Sequence, residues 1–282
     1  MDAAIRFEAV SFRWVDEGDG AATPVFDDLD LELPHGIVSL VGQNGTGKST
    51  LLALAAGSIV PDAGRVLVRG ADTRGLRDEP TRQRLVSYIF QNMEFETDEP
   101  IGSLLDAVHA AGFHAVKRPA FVAELVEAFE LAPVLARRTQ EVSKGELQRT
   151  ILAFSLLYGS PLLVMDEPIF ALEDRQKERA LEFLCAYARR EGIGLYFSLH
   201  ELDLSRRFSD HLLLFRRGGA PRLGPTAELF TRGAIEQAYE VPFDMLKQRE
   251  ALYRKMLTGA LAVRGRQPAG EGPGGADGTP TS

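Results

Sequence analysis

Between Gly36 and Gly57 the chain runs from a short apolar segment, GIVSLV, through GQNGTGKST into KSTLLALAA. An apolar run bounded by glycine reads as a buried strand, and a run of helix formers stopped by Gly57 and Pro61 reads as a short helix. Between them Gly42, Gly45 and Gly47 let the backbone turn its N–H groups inward, where they join the amino end of the helix. Strand, glycine-rich turn and helix in that order commit this stretch to an α/β layer with an anion site at one strand end. Glycine, four residues, then Gly-Lys-Ser is the spacing of a phosphate-binding loop, so Gly42, Asn44, Gly45, Thr46, Gly47, Lys48, Ser49 and Thr50 are the candidate phosphate contacts. Lys48 is expected to reach the β and γ phosphates of a nucleotide, and the Ser49 hydroxyl to ligate Mg²⁺.

A second element belongs with the first. LLVMDEP, Leu162 to Pro168, is an apolar strand ending in two adjacent carboxylates. A parallel sheet delivers both acids to its carboxyl edge, beside the phosphate loop. Asp166 is expected to orient Mg²⁺ and its water, and Glu167 to accept a proton from the attacking water or to polarise it.

The remaining pattern places these elements in a larger fold. AIRFEAVSFRW and VFDDLDLELP flank a polar turn and read as an antiparallel hairpin with one wet face. RVLVRG and RLVSYIF read as further strands, and residues 101–158 have helical spacing with little strand signal. Strands return at LLVM, LYFSL and HLLLF, separated by helical RQKERALEFLCAYARR and ELDLSRRF, which predicts a largely parallel sheet covered on both faces. The expectation is a core of residues 1–91 and 159–224, interrupted by a helical subdomain at 92–158. A helical extension at 225–263 overlaps the end of a cassette running to about 245. The last 18 residues contain six glycines and three prolines, so a disordered tail is expected at 264–282.

Composition narrows the function. The 282 residues carry 32 basic and 40 acidic side chains, a net charge of −8, which disfavours a protein that wraps duplex nucleic acid. The one cysteine, Cys185, lies in LEFLCAY, the setting of a small buried hydrophobe, and a reducing compartment is expected. The opening MDAAIRFEAV lacks the basic and apolar stretches of a secretory signal. The most apolar window, Ile151 to Met165, is broken by Ser, Tyr, Gly and Pro before it reaches the roughly 20 residues a bilayer span needs.

With these motifs in view, the chain resembles the nucleotide-binding subunits of ABC transporters. The resemblance rests on the order of further residues: Gln91 in YIFQNME, VSKGELQR at Val142 to Arg149, Ala171-Leu172-Glu173, His200 in FSLHELD and Trp14 in VSFRW. It implies a P-loop NTPase ABC cassette, with an amino-terminal antiparallel β-subdomain, a mixed or parallel sheet core and an inserted helical subdomain. It further implies that Trp14 stacks on adenine, that Gln91 senses Mg²⁺ and the attacking water, and that His200 contacts the γ phosphate. Ser143 and Gly145 would bind the γ phosphate of ATP held by the opposite subunit. Catalytic roles thus fall to Glu167, His200 and Gln91, and metal contacts to Ser49, Gln91 and Asp166. The cofactors implied are ATP and Mg²⁺. The implied partners are a second nucleotide-binding subunit, a transmembrane permease subunit and a substrate-binding protein, with no nucleic acid. The implied place is the cytoplasmic face of the cell membrane, reached through the membrane partner. ELFTRGAIEQAYEVPFDML, Glu228 to Leu246, resembles the end of iron-chelate and cobalamin importer cassettes.

The chain departs from the family pattern at Val142, Lys144 and Glu146 in the signature, and at Phe170 and Glu173 in the interface loop. Ser143-x-x-Glu146 also reads as a capping box, which gives Glu146 a structural reason to be there. Lys144 is expected to point into solvent rather than toward incoming phosphate. The altered interface motifs leave two assemblies open, a homodimer and one half of a heterodimer. A soluble ABC ATPase of DNA repair or translation and a nucleotide-dependent regulator with little turnover are the competing functions.

Overall fold

The computed structural model describes residues 3–252 except 17, 19, 77 and 115–117. The first two strands, β1 (Ile5–Val15) and β2 (Ala22–Leu33), pair antiparallel, and β1 pairs again with β4 (Ala63–Val68), which continues into β5 (Ala71–Asp72). Between them β3 (Ile37–Val41) and α1 (Lys48–Ala55) enclose the glycine-rich turn. The chain proceeds through α2 (Glu79–Gln83), β6 (Val86–Ile89), α3 (Ile101–Ala111), α4 (Phe121–Ala128) and α5 (Lys144–Leu157). It then forms β7 (Leu162–Asp166), α6 (Asp174–Glu191), β8 (Gly194–Ser198), α7 (Leu202–Phe208) and β9 (His211–Arg216). Last come β10 (Gly219–Pro225), α8 (Thr226–Leu229) and α9 (Arg232–Tyr239).

The second sheet has the order β10-β9-β3-β8-β7-β6 and is parallel except for the β9–β10 pair. Its middle strands β3, β7 and β8 are buried at every position, the pattern of strands covered on both faces. The two-residue side-chain period sorts them between two cores. Val38, Leu40, Leu162, Val164 and Tyr196 point to the face covered by α1 and the four-stranded sheet. Ile37, Leu163, Met165, Leu195 and Phe197 point to the opposite face, against α5, α6 and α7. Truncating one of these leucines to alanine is expected to cost about 2–5 kcal/mol.

Strand β10 is a difference from the sequence reading, which ended the sheet at HLLLF. RGGAPRLG carries three glycines and a proline and looks like a turn. Edge strands tolerate such residues because one side of the backbone need not pair, and among the described residues β10 pairs only with β9. The three helices α3, α4 and α5 lie between β6 and β7 in the chain, so the helical block interrupts the sheet. Helix α5 begins at a capping box and is buried almost continuously from Thr150 to Leu157. Amphipathic α6 buries Ala180, Leu181, Leu184, Cys185 and Ala188 and stops at Gly192, whose φ of 63° is left-handed.

The chain divides after Phe243 into two units. Helices α8 and α9 belong to the first, and residues 244–252 of the second are helical. The tail expected at 264–282, and the extension beyond residue 252, lie outside the described residues.

Candidate nucleotide-binding and hydrolytic site

The phosphate loop is shaped by contacts that a side chain would destroy. Gly42 has φ +153°, and a Cβ there would stand 2.8 Å from both Cβ and the carbonyl oxygen of Phe215. Gly47 has φ +100°, and a Cβ there would meet Phe26 and Val25 at 3.0 Å. Gly47 is also the N-cap of α1 and offers no side chain to its amino end, so the first helical N–H groups are left for an anion. Lys48 Nζ donates to the carbonyl oxygens of Gly42 and Gln43 at 2.7 and 2.8 Å, which folds the ammonium over the loop. Burial pulls the Lys48 pKa down, against the opposing pull of Asp166 and Glu167. Thr46 braces the turn by donating to the Gln43 carbonyl at 2.8 Å, and the Gln43 side chain donates to the carbonyl of Tyr239 in α9.

A cleft of about 1130 Å³ opens in front of this loop, lined by residues 44–50, Trp14, Gln91 and Glu167, and by the β9–β10 turn at Arg216 and Arg217. Trp14 is 49% exposed, and its ring stands edge-on to Phe12 at 5.0 Å and donates from Nε1 to Thr50 Oγ1 at 3.1 Å. The half-exposed indole offers the cleft a flat aromatic surface, and a glycine-rich loop leading into an uncapped helix start beside a lysine has the chemistry to take phosphate. The donors beside it, the Ser49 hydroxyl, the Asp166 carboxylate and the Gln91 amide oxygen, have the all-oxygen chemistry that Mg²⁺ takes.

Asp166, the last residue of β7, is 3% exposed. Glu167 follows with φ +51°, and its carboxylate gathers two side chains from distant parts of the chain. Gln91 Nε2 donates to Glu167 Oε2 at 3.0 Å, and His200 Nε2 lies 2.7 Å from Glu167 Oε1. The contact with Glu167 raises the His200 pKa above its usual value, against the opposing effect of burial. A water activated at this carboxylate would therefore meet a base already oriented on both oxygens.

Ser143 and Gly145 do not line the cleft. They start α5, where the Ser143 hydroxyl donates to Glu146 Oε2 at 2.8 Å and accepts the Glu146 N–H at 3.3 Å. Glu146 also accepts the Ser143 N–H at 2.8 Å, so the predicted capping box is complete. The Lys144 side chain is 82% exposed and pairs with Glu94 at 3.2 Å, a surface contact. Sequence reasoning missed Ser198, whose hydroxyl joins Asp166 and Glu167 at the end of β7. Its one visible signal is a polar residue at the end of an apolar strand, two positions before His200.

The family model described as ABC transporter matches residues 26–170. The hemin import ATP-binding protein HmuV of Streptomyces coelicolor is 33% identical over 244 residues, covering 85% of this chain and 84% of that protein. The chain belongs to the ABC transporter ATP-binding family. A second relative in this family, the nickel import ATP-binding protein NikO of Rhodobacter capsulatus, is 34% identical over 247 residues, covering 83% of this chain and 94% of its own. The dimeric ATP-binding cassette MJ0796 in its post-hydrolysis state with ADP and Pi shares the fold, with TM-score 0.67 and 20% identity over 79% of this chain and 98% of that one. As an ABC cassette the chain is an ATP-hydrolysing transporter subunit with ATP and Mg²⁺ as cofactors. Cassettes of this family dimerise and work with transmembrane permease subunits. Among the described residues no helix is long and apolar enough to cross a membrane.

Proposed function

We propose that this cassette powers import through a separate permease at the cytoplasmic face of the cell membrane. Import rather than export is supported by relatives named for hemin, nickel and cobalamin import, each similar over at least 83% of this chain. The cargo class that these names support is a metal ion or metal chelate, delivered by a substrate-binding protein. The expected domain division, a core at 1–91 and 159–224 with a helical subdomain at 92–158, is retained as part of this reading.

The observation that carries the hydrolytic assignment is the meeting of Gln91 and His200 on the two oxygens of Glu167. Glu167 accepts the proton of the attacking water, and Gln91 orients that water from Nε2. His200 holds the carboxylate and reaches the γ phosphate. Lys48 leaves the Gly42 and Gln43 carbonyls for the β and γ phosphates, and residues 42–50 supply backbone N–H groups to the same oxygens. Ser49, Asp166 and Gln91 would hold Mg²⁺, which when bound would neutralise charge on the phosphates. Trp14 stacks on adenine, worth about 1–3 kcal/mol by analogy with base stacking. Ser143 and Gly145 act across a dimer on the partner's ATP. For Ser143 this requires its hydroxyl to turn from Glu146 toward phosphate. Positioning and charge neutralisation supply most of the catalysis in such an in-line attack.

The test is Glu167→Gln in a steady-state ATPase assay with parallel ATP-binding measurements. Turnover should fall by at least about 10²-fold with binding retained. Near-normal hydrolysis would overturn the role of Glu167. Sedimentation of the same variant with Mg-ATP separates the assemblies: a homodimer at micromolar concentration supports self-association, and a persistent monomer points to a different partner cassette. Copurification with a permease distinguishes transport from soluble ABC functions.

A further inference from the structure

Strands β7 and β8 run parallel with Asp166 directly opposite Ser198. The Ser198 hydroxyl is buried, at 1% residue exposure, and touches both members of the carboxylate pair. Oγ donates to Asp166 Oδ1 at 2.5 Å and accepts the Glu167 N–H at 3.0 Å. The directions of these bonds are fixed. A backbone N–H can only donate, so Oγ accepts from Glu167 and its single proton goes to Asp166. Oδ1 of Asp166 thereby carries the serine hydrogen bond, which distinguishes it from Oδ2.

Glu167 itself stands at φ +51°, a left-handed conformation that a residue with a Cβ adopts only when its surroundings hold it there. In that conformation its carboxylate meets Gln91 and His200. Among the described residues, the Glu167 N–H bond to Ser198 is a direct tie between this turn and the neighbouring strand.

We propose that Ser198 is a positioning residue for ATP hydrolysis. Its one hydroxyl fixes the orientation of the Asp166 carboxylate, which would hold the metal, and it anchors the backbone turn that aims the Glu167 carboxylate. This rests on the roles given above to Asp166 and Glu167. Removing the hydroxyl leaves a buried N–H and a buried carboxylate oxygen short of a partner at once, so the effect falls on the geometry of the metal and base rather than on nucleotide binding.

The experiment compares Ser198→Ala, Ser198→Thr and Ser198→Val in the full chain. Threonine and valine have nearly the same shape and differ in the hydroxyl. Steady-state ATPase activity is measured across a Mg²⁺ titration, with binding of a fluorescent ATP analogue in EDTA and thermal unfolding measured alongside. The alanine and valine variants should lose about ten- to a hundredfold in kcat and need several times more Mg²⁺ for half-saturation. Their Mg²⁺-free nucleotide affinity should be unchanged, and threonine should recover most of the activity. Wild-type kcat and Mg²⁺ dependence in Ser198→Ala overturn the proposal. Equal loss in the threonine and valine variants also overturns it, because shape alone then accounts for the effect. Glu167→Gln in the same assay keeps the two readings apart. If it is inactive while Ser198→Ala is normal, only the role of Ser198 falls; if it hydrolyses ATP normally, the role of Glu167 falls and this proposal with it.

Discussion

His200 Nε2 lies 2.7 Å from Glu167 Oε1, joining the residue two positions beyond β8 to the residue immediately beyond β7. Adjacent parallel strands bring their ends together, so residues 33 positions apart in sequence become one hydrogen-bonded pair. Gln91 completes the arrangement from the end of β6, on the other side of β7.

The pair sets a pH dependence. Because Glu167 raises the His200 pKa above its usual value near 6.5, the imidazolium contributes stability that is fully present below that value and is lost as pH rises through the raised folded pKa. The stability gap between wild type and His200→Gln should be larger at pH 6 than at pH 9. Urea unfolding of both proteins at the two pH values measures it, and a gap that widens with pH would contradict the ion pair.

The cap of α5 makes a separate claim about stability. Ser143→Ala removes the acceptor for the Glu146 N–H and should cost about 1 kcal/mol. Glu146→Gln keeps a side-chain acceptor for the Ser143 N–H and should cost less. Glu146 has its pKa lowered, first by the Ser143 N–H bond, so its contribution is present above the unfolded carboxylate value and lost as pH falls through the folded one. Denaturant titration of the two variants at pH 7 and pH 4 reads both the order and the pH effect.

Two glycines of the phosphate loop should differ in their tolerance of alanine. At Gly42 a methyl would meet Phe215 at 2.8 Å, whereas at Gly45, with φ +77°, nothing lies within 4 Å of the added atom. Gly45→Ala should therefore cost only the left-handed penalty of about 1–2 kcal/mol. Gly42→Ala should cost more, because Phe215 on β9 must move as well. Thermal unfolding and ATP-analogue binding compare the two, and equal losses would mean that the Phe215 contact yields freely.

Cys185 should be silent to thiol reagents in the folded protein. Burial pushes its pKa up to about 12, and its Sγ donates to the Phe208 carbonyl at 3.4 Å, linking α6 to the end of α7. Since it is the one cysteine in the sequence, the labelling stoichiometry with a thiol dye at pH 7.5 should rise from near zero to one on unfolding. Rapid labelling of the native protein would show that α6 and α7 separate readily.

Much of the site was legible before folding because its signals are local. Gly42 to Thr50 carries turn, lysine and helix start within one stretch, Ser143 and Glu146 are three residues apart, and Asp166-Glu167 ends an apolar strand. Each of these is decided by backbone geometry over a few residues, and their order along the chain carried the family resemblance. The β10 edge strand was not legible, because its glycines and proline are those of a turn and only pairing with β9 makes it a strand.

The phosphate loop, the carboxylate pair, the capped start of α5 and the alternation of strands and helices are readable from the chain alone, because short-range sterics and hydrogen bonding set them. Long-range packing brings Gln91 and His200 to opposite oxygens of Glu167, Lys144 to Glu94, and the Ser198 hydroxyl to Asp166 and the Glu167 N–H. The contacts at Glu167 and Ser198 depend on strand order and on register, and a one-residue slip of β8 against β7 would turn Ser198 to the opposite face of the sheet.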